Sequence, residues 1–154
     1  MVAATSPNIS ALIAPLTDQA VLYLTQGIGL EALPSHASGS GCEGGFASAL
    51  EIGGAFHGSV FLAAGEGTAS AIMVRILGGD VAAEERPMML QDTLCEVLNM
   101  IVGNTTQRLD EAGMRITVST PSPVDSASLD SLQHHHQTIS TDSGPIVLAY
   151  KELT

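Results

Sequence analysis

The longest regular pattern in the sequence is an apolar stripe that begins after Pro87, runs to about residue 112 and stops before Gly113. Its positions are three or four residues apart, which is the spacing of one face of an α-helix. A long helix with one apolar face needs a second layer of structure to cover that face. The stripe consists of Leu90, Leu94, Val97, Leu98, Ile101, Thr105 and Leu109.

Five segments have the composition of β-strands and can form that second layer. Gly53-Gly54 separates the first two segments, Ser143-Gly144 separates the last two, and both pairs favour tight turns. The third segment closes at a run of Pro, Ser and Pro. The five segments are residues 46–52, 55–64, 114–120, 133–142 and 145–153.

Two further helices are predicted before the long one. Residues 9–33 have helical spacing, although Pro15 should kink this helix or mark its true start. Residues 34–45 form a Pro-, Ser- and Gly-rich loop, and residues 66–77 form a helix that ends at Gly78-Gly79. The order of helix, two strands, two helices and three strands predicts an α+β fold, an antiparallel β-sheet with long α-helices packed on it.

The length predicts a single domain over residues 1–154, with its core in residues 46–153. Sixteen acidic residues against five basic ones give a net charge of −11, and the first basic residue is Arg75. Polyanions would be repelled, so we expect neither nucleic acid nor an anionic membrane surface as a partner. The absence of a bilayer-length apolar run and of a basic signal segment predicts a cytoplasmic protein without membrane insertion.

Two motifs could indicate a cofactor or a metal, but their context argues against both. Residues 39–44 spell G-x-G-x-x-G, yet no strand precedes them, no helix follows, and Glu43 would repel a phosphate. In the tract His134-His135-His136, the first and third imidazoles would share one face of a strand, but zinc needs a further ligand. A polar strand or loop is the other interpretation of this tract. We therefore expect no cofactor or metal of the protein's own.

The side of the long helix that faces away from its apolar stripe carries the candidate site. At about 100° per residue, four polar or small residues fall in one arc about 60° wide. A glycine inside a helix costs about 1 kcal/mol relative to alanine, which the close approach of a partner would explain. An ordinary solvated helix face is the alternative interpretation. The four residues are Asp92, Glu96, Asn99 and Gly103.

These residues and their surroundings resemble a known family. The chain is similar to the CheX members of the CheC/CheX/FliY phosphatases in three features. These are the spacing Asp92-x3-Glu96-x2-Asn99, the segment 100–104 that follows it, and the strand end Ser119-Thr120-Pro121. Those proteins dephosphorylate the chemotaxis response regulator CheY. The resemblance covers most of residues 46–153. The chain contains a single E-x-x-N motif, which favours CheX over CheC, since CheC carries two.

One position departs from the family pattern. In the family a proline follows the asparagine after 22 intervening residues, whereas Pro121 and Pro123 lie one residue short and one residue beyond. A turn can shift by one residue, so the motif as a whole still matches.

The resemblance implies a phosphatase that acts on the aspartyl phosphate of a CheY-like response regulator. Asn99 would position the attacking water and Glu96 would pair with the regulator's active-site lysine, while Asp92 and Gly103 would contact the partner. Mg²⁺ would be bound by the regulator. Two alternatives stay open: a module that binds the regulator without turnover, and an assembly protein of the flagellar-switch type.

The resemblance also implies a homodimer, since proteins of this family pair through their sheets. Residues 147–150 make the last predicted strand apolar, and as an unprotected sheet edge it would pair with another chain. We expect two copies related by a two-fold axis.

Overall fold

The computed structural model describes residues 8–35, 45–125 and 135–153. Within these ranges the helices are α1 (Ser10–Leu22), α2 (Glu66–Leu77) and α3 (Arg86–Glu111), and α1 continues into a π-helical turn over Tyr23–Gly27. The strands are β1 (Ala32–Ser35), β2 (Phe46–Gly54), β3 (Gly58–Ala64), β4 (Ile116–Val118), β5 (Ser122–Val124), β6 (His135–Thr141) and β7 (Gly144–Glu152).

All seven strands belong to one sheet and pair antiparallel, in the order β1-β6-β7-β3-β2-β4. β4 and β5 share the outer edge of β2, because β4 pairs with its residues 52–54 and β5 with its residues 47–49. Helices packed on an antiparallel sheet make this the α+β architecture that the sequence predicts, and the prediction is confirmed.

Helix α3 joins the helices to the sheet. Its predicted stripe is buried from Leu90, which is 1% exposed, to Leu109, which is 2% exposed, and it packs against β2 and alongside α1 and α2. The buried Ser48 hydroxyl of β2 donates a hydrogen bond to the Leu94 carbonyl oxygen at 3.1 Å. Each buried leucine of the stripe contributes roughly 2 kcal/mol of apolar burial, which fixes the rotation of α3 on the sheet. No helix in the described ranges combines the length and apolar content needed to cross a membrane.

The ends of α2 and α3 follow the sequence closely. Gly78 has φ +78° and Gly113 has φ +80°, so each glycine takes the left-handed conformation that ends a helix. α2 covers the predicted residues, and α3 lies one residue earlier at each end than predicted.

The prediction for residues 9–45 is wrong in part. The helix begins at Ser10 and passes through Pro15, so the proline does not mark its start, and helical structure ends at Gly27 rather than at residue 33. Gly29, with φ +77°, turns the chain out of the helix. Residues 32–35 then form β1, which pairs with β6. Residues 36–44 of the predicted loop lie outside the described residues.

The predicted strand boundaries also need correction. β2 runs through Gly53-Gly54 instead of turning there, because these glycines pair with β4 and the connection to β3 is made by residues 55–57. β5 was not predicted. It includes Pro123, which an edge strand tolerates because the missing N–H need not pair with a further strand.

The prediction that the last strand is an unprotected edge is wrong. β7 lies in the middle of the sheet, between β3 and β6, and Val147 to Tyr150 are buried there. The described sheet ends at β1 on one side and at β4 and β5 on the other. β7 is apolar because side chains on both of its faces are buried, Val147 and Ala149 on one face and Leu148 and Tyr150 on the other.

Candidate functional site

One face of α3 is open to solvent, and it carries the four predicted site residues. Asp92, Glu96, Asn99 and Gly103 are all exposed, while the opposite side of the helix is buried against the sheet. The rise of an α-helix spreads them over about 16 Å. The structure therefore brings the four residues together on one surface of a helix that is anchored along its whole buried side.

The two carboxylates on this face form no ion pair with any described residue. The ion pairs among the described residues join Arg86 to Asp80 at 2.8 Å and Arg115 to Asp110 at 3.1 Å, and neither involves Asp92 or Glu96. Two like charges one helical turn apart destabilise a helix by roughly 0.2–0.5 kcal/mol. The face is thus a negative surface that a cationic group from outside could neutralise.

Among the described residues, nothing packs closely enough on Gly103 to require a glycine there. A Cβ atom added there would meet nothing within 4 Å, and the residue has no left-handed conformation. The open space beside it continues into a groove of about 410 Å³ between α3 and β4, lined by Thr106, Gln107 and Thr117 among others. A partner could therefore approach the backbone of α3 closely at this point.

Cys95 lies next to the site but does not supply a nucleophile. Burial, and secondly the negative charge of Asp92, raise the pKa of its thiol, so the group stays protonated near neutral pH. The side chain is half-buried.

Tyr23 is a neighbour of the site that sequence reasoning missed. It belongs to the π-helical turn after α1 and is half-buried against the core. Burial, and secondly the carboxylate of Glu96, raise the pKa of its phenol, so the hydroxyl remains a hydrogen-bond donor. No local pattern predicts that Tyr23 feels the charge of Glu96, because the two residues are far apart in the sequence and come near each other only in the folded chain.

Of the two prolines near the family position, Pro123 lies beside the first half of α3. Pro121 connects β4 to β5, and Pro123 belongs to β5. Pro123 and Gln91 of α3 line the same surface depression, so this edge of the sheet approaches the helix one residue before Asp92.

The other motifs lie apart from this face or outside the described residues. His135 and His136 begin β6, on the other side of the sheet order from β4, and His134 is not described. The segment 39–44, with Cys42, is not described either. In the part of the chain that the structure covers, no group of three His, Cys, Asp or Glu residues could hold a metal ion.

With this geometry in place, comparison with known proteins decides the family. The sequence model of a family described as chemotaxis phosphatase CheX matches residues 46–142, a span that includes the whole of α3. The chain belongs to the CheX family. The resemblance inferred from the spacing of Asp92, Glu96 and Asn99 is thereby confirmed at the level of the family. No curated protein sequence matches the chain.

Solved structures of CheX proteins share the fold. CheX from Vibrio vulnificus is similar with a TM-score of 0.75 and 19% sequence identity, over 96% of this chain and 98% of that one. CheX from Desulfovibrio desulfuricans is similar with a TM-score of 0.72 and 19% identity, over 92% of this chain and 99% of that one.

A third similar structure is a complex. The CheX–CheY–BeF3–Mg²⁺ complex from Borrelia burgdorferi contains a chain that matches with a TM-score of 0.72 and 21% identity, over 92% of this chain and 98% of that one. At these identities the likeness of all three structures concerns the fold.

Proposed function

We propose that this CheX-family protein is a phosphatase that hydrolyses the aspartyl phosphate of a CheY-like response regulator. The observation that carries the proposal is the exposed face of α3, where Glu96 and Asn99 stand one turn apart within the segment that matches the family. The complex of the Borrelia burgdorferi CheX with CheY, BeF3 and Mg²⁺ supports the choice of partner. The proposal places the protein in the cytoplasm together with that regulator.

The reaction needs a water molecule held in line with the bond that breaks. The water oxygen attacks the phosphorus atom, the bond from phosphorus to the regulator's aspartate oxygen breaks, and inorganic phosphate and the free carboxylate are released. The Asn99 carboxamide can accept a hydrogen bond from the water and donate another to a neighbouring oxygen. Its role is to orient the water, which removes much of the entropic part of the barrier.

Glu96 would bind rather than react. Its exposed carboxylate has no cation partner among the described residues, so it is free to pair with the lysine of the regulator's active site. Asp92, one turn earlier on the same face, would add to the attraction, and Gly103 would let the regulator approach the helix backbone. Mg²⁺ and the lysine that neutralise the transferred phosphoryl group would both come from the regulator.

The test is a phosphate-release assay with radiolabelled receiver domains from the same genome. The proposed function predicts that the protein shortens the lifetime of the aspartyl phosphate on at least one of them, at substoichiometric amounts. Tight binding to a phosphorylated receiver with an unchanged phosphate lifetime would instead show a module without turnover. An unchanged lifetime together with no binding would overturn the choice of partner as well.

A further inference from the structure

Among the described residues, the large apolar side chains that are exposed on helices fall into two groups. On α1 and α2 they belong to the last two residues of the helix, at Leu22, Ile76 and Leu77. On α3 they lie inside the helix, where Met88 is 68% exposed and Met100 is 39% exposed. Single exposed apolar residues are normal on a protein surface, so the informative feature is where the two methionines lie relative to the candidate site.

The two methionines stand in one row with the two carboxylates of the site. Residues four apart form a ridge along a helix, and here such a ridge consists of Met88, Asp92, Glu96 and Met100, all of them exposed. We call these four residues the α3 ridge. Asp92 has Met88 as its ridge neighbour, and Glu96 has Met100. The rise of a helix separates such neighbours by about 6 Å and the two methionines by about 18 Å.

The packing of the core accounts for neither methionine. The residues of α3 that pack on the sheet lie on the other side of the helix, and Met88 and Met100 belong neither to the buried core nor to the partly buried residues packed against it. Met89, by contrast, does pack against the core. A methionine side chain is unbranched and polarizable, so it adapts to surfaces of different shape and is frequent at binding surfaces.

We propose that the α3 ridge is a mixed docking surface for the regulator, in which Met88 and Met100 make apolar contacts on either side of the two carboxylates. The inference rests on the proposed function, in which Glu96 pairs with a lysine of the regulator. Apolar contacts around that pair exclude water, and the attraction between two charges increases as water leaves. The ridge therefore fits a partner surface that presents a lysine between apolar side chains. A second copy of this chain fits less well, because ridge against ridge would oppose carboxylates to carboxylates.

The first test observes the contacts themselves. The chain has six methionines, so labelling their methyl groups with carbon-13 gives a small set of NMR signals. The protein is titrated with a receiver domain activated by beryllofluoride, which imitates the phosphoryl group. The signals of Met88 and Met100, identified by their loss in the glutamine variants, should shift or broaden. The signals of Met73, fully buried in α2, and of Met114, beyond the end of α3, are the controls and should stay unchanged.

The second test measures affinity for the same activated receiver. Met88→Gln and Met100→Gln should each raise the Kd about fivefold, because each puts a polar amide into a dehydrated contact. In the Glu96→Gln background, Met100→Gln should raise the Kd by a smaller factor, since no ion pair is left to shield from water. Phosphate release at saturating protein should stay within about twofold, since neither methionine touches the water. Leu77→Gln removes an exposed apolar side chain from α2 and is the matched control, with no change expected.

The outcomes separate this inference from the proposed function. If the two methionine variants bind the receiver as tightly as the wild type, the docking role is overturned and the phosphatase proposal stands. An unchanged Kd together with a lower mass of either variant in light scattering would assign the ridge to a second copy, which also overturns the inference. If the wild type binds a receiver without shortening its phosphate lifetime, turnover fails while the Kd values still decide the docking role. If no receiver binds, both proposals fail.

Discussion

Asp92, Glu96 and Gly103 each make α3 less stable than a helix with ordinary surface residues would be. The two carboxylates repel each other one turn apart, and the glycine costs about 1 kcal/mol relative to alanine. No described contact within the chain requires any of the three. Residues that cost stability without an internal reason are expected where a partner binds, which is the role that the proposed function gives them.

The substitution Gly103→Ala separates the stability cost of this glycine from its role in binding a partner. Because nothing lies within 4 Å of the added Cβ, the substitution should raise the free energy of unfolding by up to about 1 kcal/mol, measured by urea denaturation. If the regulator approaches the helix backbone there, the same substitution should weaken its binding about tenfold. Gly67→Ala in α2, where the added Cβ also has open space, should leave binding unchanged. Binding that is equally tight after Gly103→Ala would exclude a close approach at this residue.

At the scale of elements, the position of β4 depends on one glycine of β2. Gly54 has φ +94°, and a Cβ atom there would lie 2.5 Å from the carbonyl oxygen of Arg115, at the start of β4. An alanine would need both a strained backbone and a shifted strand. Gly54→Ala should therefore lower the free energy of unfolding by about 2 kcal/mol or more, measured by urea denaturation.

Gly53→Ala is the control for this prediction. Its added Cβ would meet the Thr117 side-chain hydroxyl at 3.0 Å, and Gly53 has no left-handed conformation, so a small side-chain movement can accommodate it. The loss of stability should be clearly smaller than for Gly54. Equal losses at the two positions would contradict the close approach of β4 as the reason for Gly54.

Elements that are determined locally could be predicted from the sequence. The stripe from Leu90 to Leu109 defines α3, and Gly78 and Gly113 end α2 and α3, so these boundaries were found to within one residue. The exposure of Glu96 and Asn99 followed from the same helical period. The family resemblance carried the prediction from an exposed face to a chemical role.

Elements that are determined by distant contacts could not be predicted. β5 is three residues long and includes a proline, and it forms because it can pair with the outer edge of β2. β1 continues an apolar pattern that favoured a longer helix, and the turn at Gly29 is visible only in the backbone conformation. The central place of β7 depends on the order of the whole sheet, which no single segment of the sequence reveals.

At the scale of the whole molecule, one helix serves both the core and the candidate site. The buried side of α3 is fixed by the sheet and by two neighbouring helices, and the opposite side presents the site residues. A site on a long packed helix holds its geometry better than a site on a loop. This suits a mechanism in which the protein contributes position rather than a reactive group.

The assembly is also a prediction at this scale. We expect a homodimer in which two sheets pair through a described edge other than β7. Each remaining edge shows an exposed apolar residue, Leu33 on β1 at 71% and Val118 on β4 at 37%. Light scattering at micromolar concentration should give about twice the chain mass of 15.8 kDa. One of the two variants Leu33→Lys and Val118→Lys, the one at the edge that pairs, should reduce the measured mass to that of a single chain. A wild-type mass near that of one chain would contradict the dimer.

The most direct test of the central claim is the decay of the regulator's aspartyl phosphate in the presence of Asn99→Ala. Asn99 is exposed, so the free energy of unfolding of the variant should lie within about 0.5 kcal/mol of the wild-type value. The variant should also still bind the beryllofluoride-activated regulator. Asn104→Ala, which removes a second carboxamide from the same helix, is the control and should accelerate decay as the wild type does. The proposed mechanism predicts that acceleration disappears with Asn99→Ala alone. A folded, binding-competent Asn99→Ala protein that accelerates decay as fast as the wild type would contradict it.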